Sequence, residues 1–156
     1  DAGADIIALD ATLRPHARGL SAHDLIAQVK ELGLPVMADV STCEEGVAAA
    51  EAGADIVATT MSGYTPYSRQ VEGPDFELIS ELVQAVGVPV IAEGRIWTPD
   101  QAKKAIDLGA HAVVIGTAIT RPEMITKRFA EALWGDRPPC RSGTIERQNS
   151  WHAKVV

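Results

Sequence analysis

Residues 33–60 read GLPVMADVSTCEEGVAAAEAGADIVATT, and the order of signals in this stretch decides the fold. An apolar run of strand length, Pro35 to Val40, leads into Thr42 and Glu45. That pair is a capping box, in which each side chain covers a backbone N–H of the other at a helix start. Val47 to Ala50 continue the helix, and Gly53 stands where a helix ends in positive φ. Asp55 to Thr60 is the next apolar run. Strand, helix and strand in this order form a βαβ unit, whose two strands are parallel.

The same punctuation extends in both directions. Gly33-Leu34-Pro35-Val36 recurs as Gly87-Val88-Pro89-Val90, 54 residues on, which leaves room for two repeat units of about 25 residues each. The other strand candidates are Asp5 to Asp10, Pro89 to Glu93 and Ala112 to Ile119, all nearly apolar, as in strands buried on both faces of a parallel sheet. Ser21 and Asp24 precede the helical stripe Leu25, Ile26, Val29 and Leu32, and Asp75 precedes Leu78, Ile79, Leu82, Val83 and Val86. Thr98, Pro99 and Gln101 combine an N-cap hydroxyl, a proline at the first helical position and a glutamine at N3. Thr120 and Pro122 open a last helix through Met124, Ile125, Phe129 and Leu133. The expected architecture is α/β, an array of five βα units forming one domain over residues 1–133. Asp1 to Ile6 repeat the helix-to-strand junction of Glu51 to Ile56 with no helix in front, so the expectation is a chain that starts part-way through a longer array. Residues 134–156 carry neither period and read as an irregular C-terminal tail, with room for a short strand at 153–156.

The composition agrees with a packed domain. Of 156 residues 46% are hydrophobic and only two are cysteine, which excludes a disordered chain and a disulfide miniprotein. Fourteen Lys and Arg against 21 Asp and Glu leave a net charge of −7. Nucleic acid and anionic membranes are therefore not expected partners, and any anion needs a local site. Cys43 and Cys140 have no metal-ligand spacing, so a reducing cytoplasm is the default and Cys43 reads as a small buried hydrophobe. His16, His23, His111 and His152 show no ligand spacing either, and no metal is expected. No apolar run approaches the roughly 18 to 20 residues of a membrane span, and no dinucleotide, P-loop or nucleophile-elbow motif is found.

In parallel βα folds, ligands gather at the carboxyl ends of the strands. Asp10 and Thr12, Asp39 and Ser41, Thr59 and Thr60, Glu93 and Arg95, and Gly116 and Thr117 fall there. A single strand-end aspartate serves equally as a turn former or helix cap, and that alternative stays open for Asp10 and Asp39. Glu93 is different: glutamate is a poor turn former, and this one lies between Ala92 and Gly94, where burial or a charged neighbour tunes a proton-transfer group. Gly94, Gly116, Thr117, Thr120 and Arg121 follow the last two strands and suit a phosphate site. The alternative is that the glycines only make turns and Arg121 lies on a solvated face. The long loop Met61 to Pro74 holds Tyr64 and Tyr67, as either a sugar-contacting lid or ordinary loop packing.

Five segments together carry a family resemblance: Ala8-Leu9-Asp10-Ala11-Thr12, Met37 to Thr42, Thr59 to Ser68, Ile91-Ala92-Glu93-Gly94-Arg95-Ile96, and Gly116 to Pro122. The chain resembles the N-acylglucosamine-6-phosphate 2-epimerases over residues 1–133. The resemblance implies a TIM barrel of eight βα units, with this chain supplying strands 4 to 8. It implies an isomerase that interconverts N-acetylmannosamine 6-phosphate and N-acetylglucosamine 6-phosphate by moving a proton at C2, in sialic acid catabolism, without a cofactor. It places a catalytic carboxylate at Glu93, substrate contacts at Asp39 and Asp10, with Thr59, Thr60 and Arg95 beside them, and phosphate contacts at Gly94, Gly116, Thr117 and Arg121. The partner is then a small sugar phosphate, with a homodimer as one option. The family's catalytic lysine belongs to its third strand and a substrate-binding arginine to its second, neither of which this sequence contains; Lys30, Lys103, Lys104, Lys127 and Lys154 fall on helices or in the tail. Another phosphate-binding barrel enzyme and a non-catalytic sugar-phosphate-binding half-barrel are the alternatives.

Overall fold

The computed structural model describes residues 3–135. Five strands form one sheet: β1 (Ile7–Asp10), β2 (Val36–Asp39), β3 (Ile56–Ala58), β4 (Val90–Glu93) and β5 (Ala112–Val114). All pairings are parallel, and the spatial order is the chain order. Each crossover therefore steps the same way, as in a barrel; a doubly wound sheet would reverse. The crossovers carry α1 (Ala22–Glu31), α2 (Cys43–Glu51), α3 (Phe76–Ala85) and α4 (Pro99–Asp107). Right-handed connections that never reverse place these helices on one face, where α1 packs on α2 and α2 on α3. Beyond β5 come the short α5 (Thr117–Thr120) and then α6 (Pro122–Trp134), which belongs to a second compact unit beginning at Pro122.

The helix starts follow the local chemistry. Ser21 with Asp24, Thr42 with Glu45, and Thr98 with Gln101 all form complete capping boxes. Asp75 caps α3 by accepting from the Leu78 N–H at 3.0 Å. Gly53, after α2, has φ of 102°.

Between the helices and the sheet, Ile26, Val36, Ala38, Val40, Val57 and Leu82 are wholly buried. A smaller cluster around Ile79, Ala92 and Ala105 seals the β4–α4 end. Burial on both faces, expected for every strand, is approached only by β3 and β4. In β2 buried and half-buried residues alternate, and β1 and β5 stay largely open because an edge strand has a neighbour on one side only.

Two other expectations change. The fifth strand does not run to Ile119: it ends at Val114, and residues 117–120 form a helical turn. Gly116 leaves the strand region with ψ of −91°, and the Thr120 hydroxyl donates back to the Gly116 carbonyl at 3.1 Å, a bond that fits a helix and not a strand. Accordingly Thr120 ends α5, and α6 opens at Pro122. Cys43 is half-buried at the first position of α2, and burial, joined by the charges of Glu81 and Glu44, pushes its thiol up. His16 is half-buried, with a buried Nε2 that has no hydrogen-bond partner, while His23 and His111 are exposed. The tail from 136 onward, with Cys140, His152 and the strand considered at 153–156, lies outside the described residues.

Candidate active site

Sheet order brings the functional side chains together. Because β3 lies between β2 and β4, the residues just past its end reach both Asp39 and Glu93. Successive residues of an extended segment point opposite ways, and Thr59 and Thr60 do so with different results. The Thr60 hydroxyl lies 2.7 Å from Asp39 Oδ1 and 3.1 Å from Glu93 Oε2. Thr59, only 2% exposed, donates its hydroxyl to the Glu93 carbonyl at 2.8 Å and accepts from the Glu93 N–H at 3.0 Å. Thr59, expected to meet substrate, here clamps the main chain of Glu93, and its one hydroxyl hydrogen is committed to the Glu93 carbonyl.

Burial raises the Asp39 carboxyl above the ordinary aspartate range; the Thr60 hydrogen bond opposes this, and the negative charges of Glu93 and Asp10 add to it. Asp10 behaves in the opposite way. Burial favours its neutral form, but hydrogen bonds from Thr12 and from the Arg14 guanidinium outweigh that and hold the carboxyl low. The Thr12 N–H donates to Asp10 Oδ1 at 2.9 Å, and Arg14 is ion-paired with Oδ2. Asp10 is thus the turn former that its position allowed.

A cleft of about 600 Å³ opens beside these strand ends. It collects Thr60, Glu93, Gly94, Arg95, Gly116 and Thr117 from the expected set, and adds Arg14, Met61, Tyr64 and Trp97. Asp39 stands behind Thr60, and neither Asp10 nor Thr59 lines the cleft. Arg121 follows α5 as its C-cap, its N–H donating to the Thr117 carbonyl at 3.3 Å. A second groove of about 620 Å³, between the β1–α1 connection and α2, is lined mainly by apolar residues such as Leu20, Ile26 and Ala49; neither Glu93 nor the threonine that bridges it to Asp39 lines it, so the chemistry points to the first.

The tyrosine loop is held from beneath. Arg95 donates its Nε to the Gly73 carbonyl at 2.8 Å and its Nη1 to the Ser62 carbonyl at 2.7 Å. It was expected to contact substrate, yet two of its donors fasten the loop that forms the cleft wall. Gly63 permits this: it has φ of 77°, and a Cβ there would lie 2.1 Å from Arg95 Nη1. Tyr64 lines the cleft, its ring centroid 5.8 Å from the Arg95 guanidinium carbon. Tyr67 faces elsewhere and donates its hydroxyl to Glu45 Oε1 at 2.8 Å.

Glu45 does far more than close a capping box. Its carboxylate is 3% exposed and accepts from the Leu13 N–H at 2.8 Å, the Tyr67 hydroxyl, the Ser41 N–H and hydroxyl at 2.7 Å each, and the Thr42 N–H at 3.1 Å. One buried side chain therefore ties the connections after β1, β2 and β3 to a single point. The pattern Thr42-x-x-Glu45 reveals the cap, but nothing local in the sequence signals the bonds to Leu13 and Tyr67. Arg14 could have been found as the cation four residues past the end of β1. Among the described residues no group of three or more His, Cys, Asp or Glu side chains is placed to hold a metal ion, and no helix is long and apolar enough to cross a membrane.

A family model described as "Putative N-acetylmannosamine-6-phosphate epimerase" matches residues 1–134. The chain belongs to this family. It is 55% identical over 131 residues to a "Putative N-acetylmannosamine-6-phosphate 2-epimerase" of Caldanaerobacter subterraneus subsp. tengcongensis, covering 83% of this chain and 55% of that protein. A Clostridium perfringens protein of the same name is 54% identical over 129 residues, covering 83% and 58%. The solved structure of the N-acetylmannosamine-6-phosphate 2-epimerase from Clostridium perfringens superposes with a TM-score of 0.80 at 53% identity, over 83% of this chain and 57% of that one. The fold is accordingly that of the TIM-barrel class, represented here by five parallel βα units. The chain spans a little over half the length of the curated relatives it matches.

Proposed function

We propose that this chain carries the carboxylate side of a sugar-phosphate epimerase site, one that interconverts N-acetylmannosamine 6-phosphate and N-acetylglucosamine 6-phosphate. Membership of the family supplies the reaction, and one observation supports its location: Glu93 stands at the end of β4, in a cleft, joined to a second carboxylate through Thr60. Epimerisation at C2 removes a proton next to the carbonyl of the ring-opened sugar and returns one to the other face. It needs a proton carrier beside C2 and stabilisation of the enolate between the two steps. Glu93 is the proton carrier in this reading, with Thr60 and Asp39 behind it. Gly94, Gly116, Thr117 and Arg121, which follow β4 and β5, take the phosphate, and Tyr64 walls the sugar. Asp10 acts indirectly by holding Arg14 at the cleft. Sialic acid catabolism, a cytoplasmic setting and a homodimer belong to the same proposal.

A second reading, binding without turnover, is favoured by the lysines. Lys30 pairs with Asp55, Lys103 with Asp107, Lys127 with Glu131, and Lys104 lies 4.1 Å from the Phe76 ring centroid. Among the described residues no lysine lines the cleft. Incubating the chain with N-acetylmannosamine 6-phosphate in deuterium oxide and following exchange at C2 separates the two readings. Exchange that falls by about 100-fold or more in Glu93→Gln is the expected result, and unchanged exchange in that variant removes Glu93 from the mechanism. Binding with no exchange at all leaves the second reading standing.

A further inference from the structure

Thr60 has one hydroxyl hydrogen and two carboxylates within reach of it. Asp39 Oδ1 is 2.7 Å away on one side and Glu93 Oε2 is 3.1 Å away on the other. A hydroxyl donates once and accepts through its lone pairs. Both contacts are full two-centre hydrogen bonds if one of the two carboxyls is protonated and donates to Thr60 while Thr60 donates to the other. With both carboxylates ionised, a single hydrogen would be divided between two like charges in a weaker three-centre bond.

The surroundings favour holding that extra proton. Asp10, at the end of β1, adds negative charge, and its own cation, Arg14, is paired with it. Arg95, two residues past Glu93, directs Nε and Nη1 to the carbonyls of Gly73 and Ser62. Tyr64 lines the same cleft, and neither β3 nor β5 contains a titratable residue. The Glu93 main chain is fixed by the Thr59 hydroxyl, so the distance to Thr60 is set by the sheet and not by a mobile loop.

We propose that Thr60 is a proton relay joining Asp39 to Glu93, so that Asp39 stores the proton with which Glu93 is reloaded after giving its own to substrate. The relay rests on the reading of Glu93 as the proton carrier. In the stored state Asp39 is the acid, donating to Thr60 Oγ, and Thr60 donates to the Glu93 carboxylate. In transfer, the Asp39 O–H bond breaks as a new Thr60 O–H bond forms, and the original Thr60 O–H bond breaks as a Glu93 O–H bond forms. One proton passes from Asp39 to Glu93, the triad keeps its net charge, and Thr60 ends as it began with its hydrogen turned towards Asp39.

The test is a carboxyl-carbon NMR titration of the full chain and of its Thr60→Ser and Thr60→Val variants. Two groups sharing a proton titrate with macroscopic midpoints that belong to the pair. In the parent and in Thr60→Ser, the side-chain carboxyl carbon of Asp39 is expected to move in two steps, and Glu93→Gln is expected to leave it only one. In Thr60→Val, Asp39 is expected to lose the second of its two steps, because nothing then links it to another carboxyl. A single Asp39 step in the parent, or a Thr60→Val titration indistinguishable from that of Thr60→Ser, would overturn the relay. If Thr60→Val does not fold, the parent and Thr60→Ser titrations decide alone. Measuring C2 exchange on the same proteins keeps the two readings apart: shared titration without exchange supports the relay and counts against turnover by this chain, and exchange with independent titration does the reverse.

Discussion

Asp10 and Asp39 are the same residue in equivalent places, and their surroundings shift the two carboxyls in opposite directions. Each ends a strand, and the two stand opposite each other in the β1–β2 register. Asp10 is met by a backbone N–H and a guanidinium, and its carboxyl is held low. Asp39 is more deeply placed, receives one hydroxyl and faces the charge of Glu93, and its carboxyl is held high. One position in the repeat has become a turn anchor and the next a carboxyl whose neutral form is favoured, and the partners that reach each carboxylate account for the difference.

The strongest way to break this contrast is to remove the side chain that organises the loops around it. Glu45→Ala leaves five donors without their acceptor, and a loss of about 3 kcal/mol is expected in denaturant unfolding. The Leu13 N–H, left with only the Tyr67 hydroxyl at 3.1 Å, should hold the turn that presents Arg14 less firmly, so the Asp10 midpoint in a carboxyl titration should move up towards the ordinary value. A smaller effect follows from neutralising each aspartate in turn. A carboxyl held low contributes stability above the ordinary aspartate range that is lost as pH falls through its lowered midpoint. One held high does the reverse, the folded state taking up its proton first as pH falls. Asp10→Asn should therefore lower thermal stability at pH 7 and Asp39→Asn should raise it, with both differences shrinking at acid pH, where the parent carboxyls are protonated. The smallest effect belongs to Arg14→Ala. Its pair with Asp10 is largely exposed, so less than about 1 kcal/mol of stability should be lost, while the Asp10 midpoint moves up without reaching that of Asp39. An unmoved Asp10 midpoint would show that Thr12 alone sets it.

Much of this was readable from neighbouring residues. The capping boxes at Thr42 and Thr98, the aspartate cap at Asp75 and the positive φ of Gly53 depend on contacts within about one helical turn, and the structure contains each of them. The alternation of strand and helix, and the placing of Glu93, Gly94, Gly116 and Thr117 at one end of the sheet, follow from the same local rhythm. The overrun of the fifth strand shows where that rhythm misleads: Thr117 to Thr120 have strand-like residues, but the turn at Gly116 and the Thr120 back-bond draw them into a helix. Thr59 and Arg95, expected at the ligand, hold the Glu93 main chain and the tyrosine loop, and Tyr67, for which loop packing was the open alternative, bonds Glu45.

The sequence by itself determined the parallel βα repeat, the starts of its helices and the set of polar residues delivered to the carboxyl ends of the strands, because hydrophobic period, caps and turn chemistry act between near neighbours. Only the tertiary structure decided which carboxylate meets a cation and which meets another carboxylate. The contacts that make that choice join Thr60 to Asp39 and Glu93, and Glu45 to Leu13 and Tyr67, between 21 and 33 positions apart in the chain. Hydrogen bonding and Coulomb energy depend on distance through space, and that distance exists only once β3 lies between β2 and β4.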